Sequence, residues 1–144
     1  MRCVASRRPA PILANEPAWL DVEQIIAINR AEVAETGEPH QIRDAGLLES
    51  ALARPRQRWT YTGDEDVVRL AASMIYGLAK NHPFAQGNKR TAWTAAVVFF
   101  GMNGYRVLSE ADPAAGPLVE RLVTDDVTEE DFVESLRRFV EPSS

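Results

Sequence analysis

The segment Thr91–Met102 constrains the fold more than any other. Nine of its twelve residues are apolar and they form no clear stripe. A helix that is apolar all round has to be covered on most sides. Crossing a bilayer takes about 20 such residues, so this segment reads as the buried central helix of a globular domain. Directly before it runs a polar loop, His82-Pro83-Phe84-Ala85-Gln86-Gly87-Asn88-Lys89-Arg90. A helix fixed in a core holds its own N-terminus still, and here that end carries the polar groups.

A helix N-terminus offers unpaired N–H groups and roughly half a positive charge from the aligned peptide dipoles. Gly87 allows close approach to the backbone, and Lys89 and Arg90 add two positive charges on the first turn. Cations there oppose the dipole, so their presence points to a bound phosphate or other anion. The plainer alternative is a solvated helix start with two surface cations. His82 precedes Pro83, which biases it towards an extended conformation and ends the preceding helix. An imidazole about six residues from an anion nest is a candidate general base for removing a proton from a hydroxyl. The competing reading is a helix-ending histidine packed on Phe84. His40 is the only other histidine, which excludes a His-rich metal cluster.

The remaining segments read mostly as helices. Asp21 with Gln24 makes a capping box, followed by an apolar face of Val22, Ile25, Ile26, Asn29 and Val33. Asp44 caps a second helix over residues 45–53, which Pro55 is expected to stop, with Leu47, Leu48, Ala51 and Leu52 inward. Trp59, Thr60, Tyr61 and Thr62 form a β-prone run, with Arg54, Arg56 and Arg58 at one end. A solvated surface loop and an RNA-contacting patch are the other readings of that run. Asp64 or Asp66 opens a third helix bearing Val67, Leu70, Ala71, Met74, Ile75 and Leu78 at helical spacing. Asn103-Gly104 gives a left-handed stop to the central helix, before a short extended piece, 105–108. Pro117 fits the first turn of a fifth helix, with Leu118, Leu122 and Val123 inward. Thr128 with Asp131 caps a sixth that carries Phe132, Val133, Leu136, Phe139 and Val140.

These elements predict one all-α domain over residues 19–141, behind a mobile tail over 1–18 that holds Arg2, Arg7 and Arg8 and lacks a signal-peptide apolar run. A net charge of −5 disfavours a general nucleic-acid binder. The single Cys3 cannot form an internal disulfide, which fits a reducing cytoplasm.

The run His82-x-Phe84-x-x-Gly87-Asn88-Lys89-Arg90 resembles the signature of the Fic/Doc family, in its Doc (death-on-curing) branch, at six of seven specified positions. The likeness extends to Ile42-Arg43-Asp44-Ala45-Gly46-Leu47-Leu48-Glu49-Ser50-Ala51-Leu52 and to Asn103-Gly104-Tyr105. It implies a compact bundle of about six helices around a central buried helix, with a small β-hairpin flap. It implies that His82 deprotonates a target hydroxyl, that Phe84 anchors the loop, that Gly87 and Asn88 cradle phosphates, and that Arg90 holds them. Residues Trp59, Thr60, Tyr61 and Thr62 would be the flap that docks the target by strand addition. Lys89 stands where the AMP-transferring Fic branch has glycine. In the Doc branch lysine accompanies phosphate transfer from ATP, with Mg2+, to a threonine of elongation factor Tu.

Gln86 occupies the place of the family's Asp or Asn magnesium ligand. Its amide oxygen is neutral and one methylene farther out than asparagine's, which weakens a magnesium site. Three further functions therefore stand beside the kinase: an AMP transferase, a binding module that has lost catalysis, and a ribonuclease. The last lacks a second acid or base in the motif. Many family members carry an inhibitory helix of pattern Ser/Thr-x-x-x-Glu. No glutamate here has Ser or Thr four residues before it, so a separate antitoxin is the expected inhibitor.

Overall fold

The computed structural model describes residues 15–143. Cys3 and the three tail arginines lie outside them. The chain order is α1 (Val22–Thr36), α2 (Ala45–Thr62), α3 (Val67–Asn81), α4 (Asn88–Met102), β1 (Tyr105–Val107), α5 (Ala111–Val123), α6 (Glu129–Arg137) and β2 (Val140–Pro142). The all-α architecture expected from the sequence is present. Its two short strands pair antiparallel, with Arg106 opposite Glu141.

Local chemistry sets most helix starts. Asp21 and Gln24 close the capping box on α1, and Asp44, Asp66 and Thr128 each accept a first-turn N–H of α2, α3 and α6. Each such cap contributes about 1 kcal/mol. Gly37 and Gly63 end α1 and α2 in left-handed conformations. After α4 the left-handed residue is Gly104 alone. Asn103 stays at negative φ, and its side chain exchanges two hydrogen bonds with the backbone of Ala18.

The central buried helix is α3, not the segment after the loop. Eleven of the fifteen residues of α3 are buried, and it packs against α2, α4, α5 and α6. Helix α4 instead buries one side, with Ala92, Ala95, Ala96, Phe99 and Phe100 inward. Its Val97, Val98 and Met102 remain more than a third exposed. The abundance of alanine and valine along α4 hides this sidedness, because small apolar residues tolerate either environment.

Four further expectations are corrected. Helix α6 ends at Arg137, so Phe139 lies beyond it and Val140 opens β2. Helix α2 runs through Pro55 to Thr62, so Trp59, Thr60, Tyr61 and Thr62 form its last turns and not a strand. Pro55 is itself buried, and Arg54 just before it bonds to Ser73 and Glu129 while Arg58 beyond it bonds to Asp64, anchoring the helix on both sides despite the missing N–H. Helix α5 begins at Ala111, which puts Pro117 in its interior and makes Ala115, Val119 and Leu122 its buried face. The tail boundary also moves: Pro17 is buried and Ala18 is bonded to Asn103, so these residues dock on the bundle.

Helices α2 and α3 cross closely. A Cβ on Gly77 would lie 3.0 Å from the Cα of Ala51, so a larger residue there would push the two helices apart. This contact fixes α3, whose C-terminus delivers His82.

Candidate active site

The loop between α3 and α4 is held from three directions. Phe84 is 1% exposed and packs into the core, a burial that stabilises by about 2–3 kcal/mol. The extended segment before α2 lies alongside: Ile42 bridges Phe84, the Ala85 N–H donates to the Gln41 carbonyl at 2.9 Å, and the Arg43 N–H donates to the Pro83 carbonyl at 2.7 Å. The Arg43 guanidinium then reaches the carbonyls of His82 at 2.7 Å and Asn81 at 2.8 Å. A cation thus satisfies the open carbonyl end of α3, where the helix dipole is negative.

His82 is not extended. Its φ of 50° and ψ of 57° are left-handed, a conformation that costs a residue bearing Cβ on the order of 1–3 kcal/mol. The Arg43 fork onto its own carbonyl and its neighbour's offsets that cost. The imidazole is exposed and lines the cavity described below.

The side chain of Asn88 is turned back into the loop. Its Oδ1 accepts the Phe84 N–H at 3.0 Å, and its Nδ2 donates to the Phe84 carbonyl at 2.8 Å. The second Nδ2 hydrogen points to His82 Nδ1 at 3.3 Å. With Oδ1 and Nδ2 so assigned, Nδ1 of His82 is the acceptor and carries the imidazole lone pair. The Asn88 side chain is therefore spent on folding the loop and orienting His82, and only its backbone faces a ligand's path.

Gly87 is the N-cap of α4, at φ 75°, and supplies no side-chain cap to the first turn. A Cβ there would meet Val33 Cγ1 at 3.0 Å and the Arg90 and Asn29 side chains at 3.4 Å. The backbone conformation and the space both require glycine.

Both candidate phosphate cations already have partners. Lys89 Nζ lies 2.6 Å from Glu120 of α5, and Arg90 Nη2 lies 2.6 Å from Glu38 in the segment after α1. The Thr36 hydroxyl also donates to Glu38 at 2.6 Å. The Thr36 hydroxyl first, and the Arg90 guanidinium second, hold the Glu38 carboxyl below its usual range. Around these groups opens a cavity of about 590 Å³, bounded by the loop, by Trp93 and Thr94 of α4 and by Val119 of α5. It has a charged floor and a wall that is partly aromatic, the combination suited to a phosphorylated ligand with a flat apolar part.

Gln86 is exposed, and its backbone carbonyl, not its side chain, is bonded inward, to Asn29 at 2.9 Å. One neutral amide oxygen does not make an all-protein magnesium site. Among the described residues no group of three or more His, Cys, Asp or Glu is arranged to hold a metal. The residues at this loop do not fit a resident metal.

The structure thus brings His82, Gln86, Gly87, Asn88, Lys89 and Arg90 to one cavity, and leaves Trp59, Thr60, Tyr61 and Thr62 outside its lining. Sequence reasoning missed Glu38, Asn29 and His40. The one available signal was Asn29, a polar residue on an otherwise apolar face.

The comparisons with known proteins agree with this geometry. A model of the Fic/DOC family matches residues 19–100. The chain is 38% identical over 112 residues to "Toxin Doc" of Mycolicibacterium smegmatis, covering 75% of this chain and 82% of that protein. It is 28% identical over 116 residues to "Protein kinase doc" of Escherichia phage P1, covering 81% of this chain and 90% of that one. With the loop, the helix it caps and the bundle that holds them matched together, the chain belongs to the Fic/DOC family.

Proposed function

We propose that the chain is a Doc-like toxin of a toxin–antitoxin pair, a phosphotransferase that moves the γ-phosphate of ATP to a hydroxyl of a cytoplasmic protein resembling elongation factor Tu. The observation that carries this reading is the convergence of an imidazole, a glycine-capped helix N-terminus and two cations on one cavity. The names of the two relatives support a toxin and a kinase. Among the described residues no helix is long and apolar enough to cross a membrane.

In this mechanism the first-turn N–H groups of α4 and the Arg90 guanidinium bind phosphate oxygens, which requires Arg90 to exchange Glu38 for the nucleotide. Lys89 makes the corresponding exchange with Glu120. His82 takes the proton from the attacking hydroxyl at Nδ1, the nitrogen that carries the lone pair in the arrangement with Asn88. The 3.3 Å separation makes that contact weak and readily replaced by a substrate oxygen. The oxygen then bonds to the γ-phosphorus as the bond to the ADP leaving group breaks. Gln86 alone does not supply a metal site; a magnesium ion carried by ATP would be held by the nucleotide's own phosphates, where it would offset their charge.

Mixing the protein, elongation factor Tu and ATP labelled either at the γ-phosphate or in adenine tests the proposal. Transfer of the γ-label supports the kinase. Transfer of the adenine label supports the AMP-transferring alternative, which Lys89 in place of glycine argues against. Transfer of neither label, with harmless expression of the soluble protein in bacteria, favours a binding module in which Gln86 has cost the chain its catalysis. An antitoxin is the expected partner, and its inhibitory group would be an acid competing for Arg90.

A further inference from the structure

Beneath the loop lies a buried polar group that the proposed mechanism does not use. Asn29, in the middle of the apolar face of α1, is 0% exposed. Its Nδ2 donates to the Gln86 carbonyl at 2.9 Å and to Thr91 Oγ1 at 3.0 Å, the two ends of the anion loop. Both hydrogens of the amide are then spent on acceptors, so Oδ1 can only accept. Facing Oδ1 at 2.7 Å is His40 Nδ1. That nitrogen must therefore carry the hydrogen. The His40 ring lies with its centre 5.9 Å from that of Phe84, the anchor of the same loop.

We propose that Asn29 and His40 form a positioning pair that sets the height of the Gln86–Thr91 loop over the cavity and thereby its affinity for a nucleotide phosphate. The proposal rests on the nucleotide reading above. Three observations lead to it. A fully buried amide is costly unless every hydrogen bond is made, and each bond Asn29 makes inside this group runs to the loop or to the segment covering it. Gly87 approaches the same amide so closely that a Cβ would lie 3.4 Å from Nδ2. Finally, the pair spans two different elements: α1 supplies the amide, and the segment that carries Glu38 supplies the imidazole. The segment whose carboxylate must leave Arg90 is thus tied by His40 to the floor beneath the anion site. Neither residue touches the expected ligand, so both act through the loop.

The test combines a spectroscopic signature with binding. In long-range nitrogen–proton spectra at about pH 8.5, above the usual imidazole range, His40 should be the Nδ1–H tautomer. His82 should be the opposite, Nε2–H, and His40→Phe assigns the two resonances. Asn29→Leu should weaken ADP binding about tenfold, the loss of two hydrogen bonds, and raise amide exchange of residues 86–91 by a similar factor. His40→Phe keeps a ring over Phe84 and should act in the same direction by about threefold, with a lowered melting temperature because the buried Asn29 Oδ1 loses its partner. Should Asn29→Leu fail to fold, His40→Phe and Thr91→Val decide the matter. An Nε2–H tautomer at His40 overturns the proposal. So does a lowered melting temperature with ADP affinity and loop exchange unmoved, which would make the pair structural only. If the wild type binds no ADP, the nucleotide reading fails, and exchange at residues 86–91 still decides whether the pair positions the loop.

Discussion

Glu38 and Arg90, 52 positions apart in the chain, meet at 2.6 Å on the floor of the cavity. A carboxylate therefore sits where a phosphate is expected. Without any helix of the family's inhibitory pattern taking part, an acid reaches the motif arginine from the turn after α1. Removing it with Glu38→Ala should raise ADP affinity about twofold to fivefold, the range of a partly exposed ion pair. Titration followed by the fluorescence of Trp93, which lines the cavity, measures it. Equal affinity in the two proteins would show that the carboxylate does not compete.

The same contact has a defined pH response. Glu38 is held below its usual value of 4.5 by Thr36 and Arg90, so its share of stability is present above that value and is lost as pH falls through the lowered one. Between pH 8 and 5 the difference in ADP affinity between wild type and Glu38→Ala should stay constant. A difference already halved at pH 4.5, the ordinary value of a glutamate, would mean that the carboxyl is not held down.

His82→Ala should lower transfer by about 10²–10⁴-fold and leave ADP affinity within about twofold. The left-handed backbone at this position needs a control, because alanine resists positive φ whatever its side chain does. Asn tolerates that conformation, so His82→Asn should fold as well as the wild type and be equally inactive. Transfer at the wild-type rate by either variant removes the imidazole from the chemistry.

Gly87→Ala should cost about 1–3 kcal/mol in denaturant unfolding, since the new methyl meets Val33 at 3.0 Å in a left-handed backbone. Gln86→Asp, at an exposed position, should leave stability within about 0.5 kcal/mol. It should also raise the transfer rate and lower the magnesium concentration for half activity. Unchanged magnesium dependence would make Gln86 a loop residue only.

The sequence revealed those parts of the molecule whose causes are local. Asp21 with Gln24, and Asp44, Asp66 and Thr128, each act within three residues, and all four helix starts were readable. Pro55 misled because its ordinary effect was overridden by Arg54 and Arg58 reaching α3, α6 and the α2–α3 turn, contacts with no sign in the neighbouring residues. Within the site, the motif residues are contiguous and stood out. Their partners did not. Asn29 reaches Gln86 across 57 positions, and nothing near Glu38 marks it as a neighbour of Arg90. Asn88 was visible, but not the turn of its side chain into the loop, since a motif gives the position of an amide and not the direction in which it points.

The pairing of β1 with β2 bears on how this site can discriminate between ligands. Helix α4 is tethered at its start through Thr91 and Asn29. At its far end Asn103 is tied to Ala18, and β1, which follows directly, is bound to the last strand of the domain. A rod clamped at both ends cannot slide along its axis to suit ligands of different length. Its amide-bearing tip is therefore a fixed datum, and selection among phosphorylated molecules falls to the side walls, the turn bearing Glu38 and the face of α5 bearing Glu120. Variation between relatives in what they accept should accordingly be concentrated in those two walls, with the tip left alone.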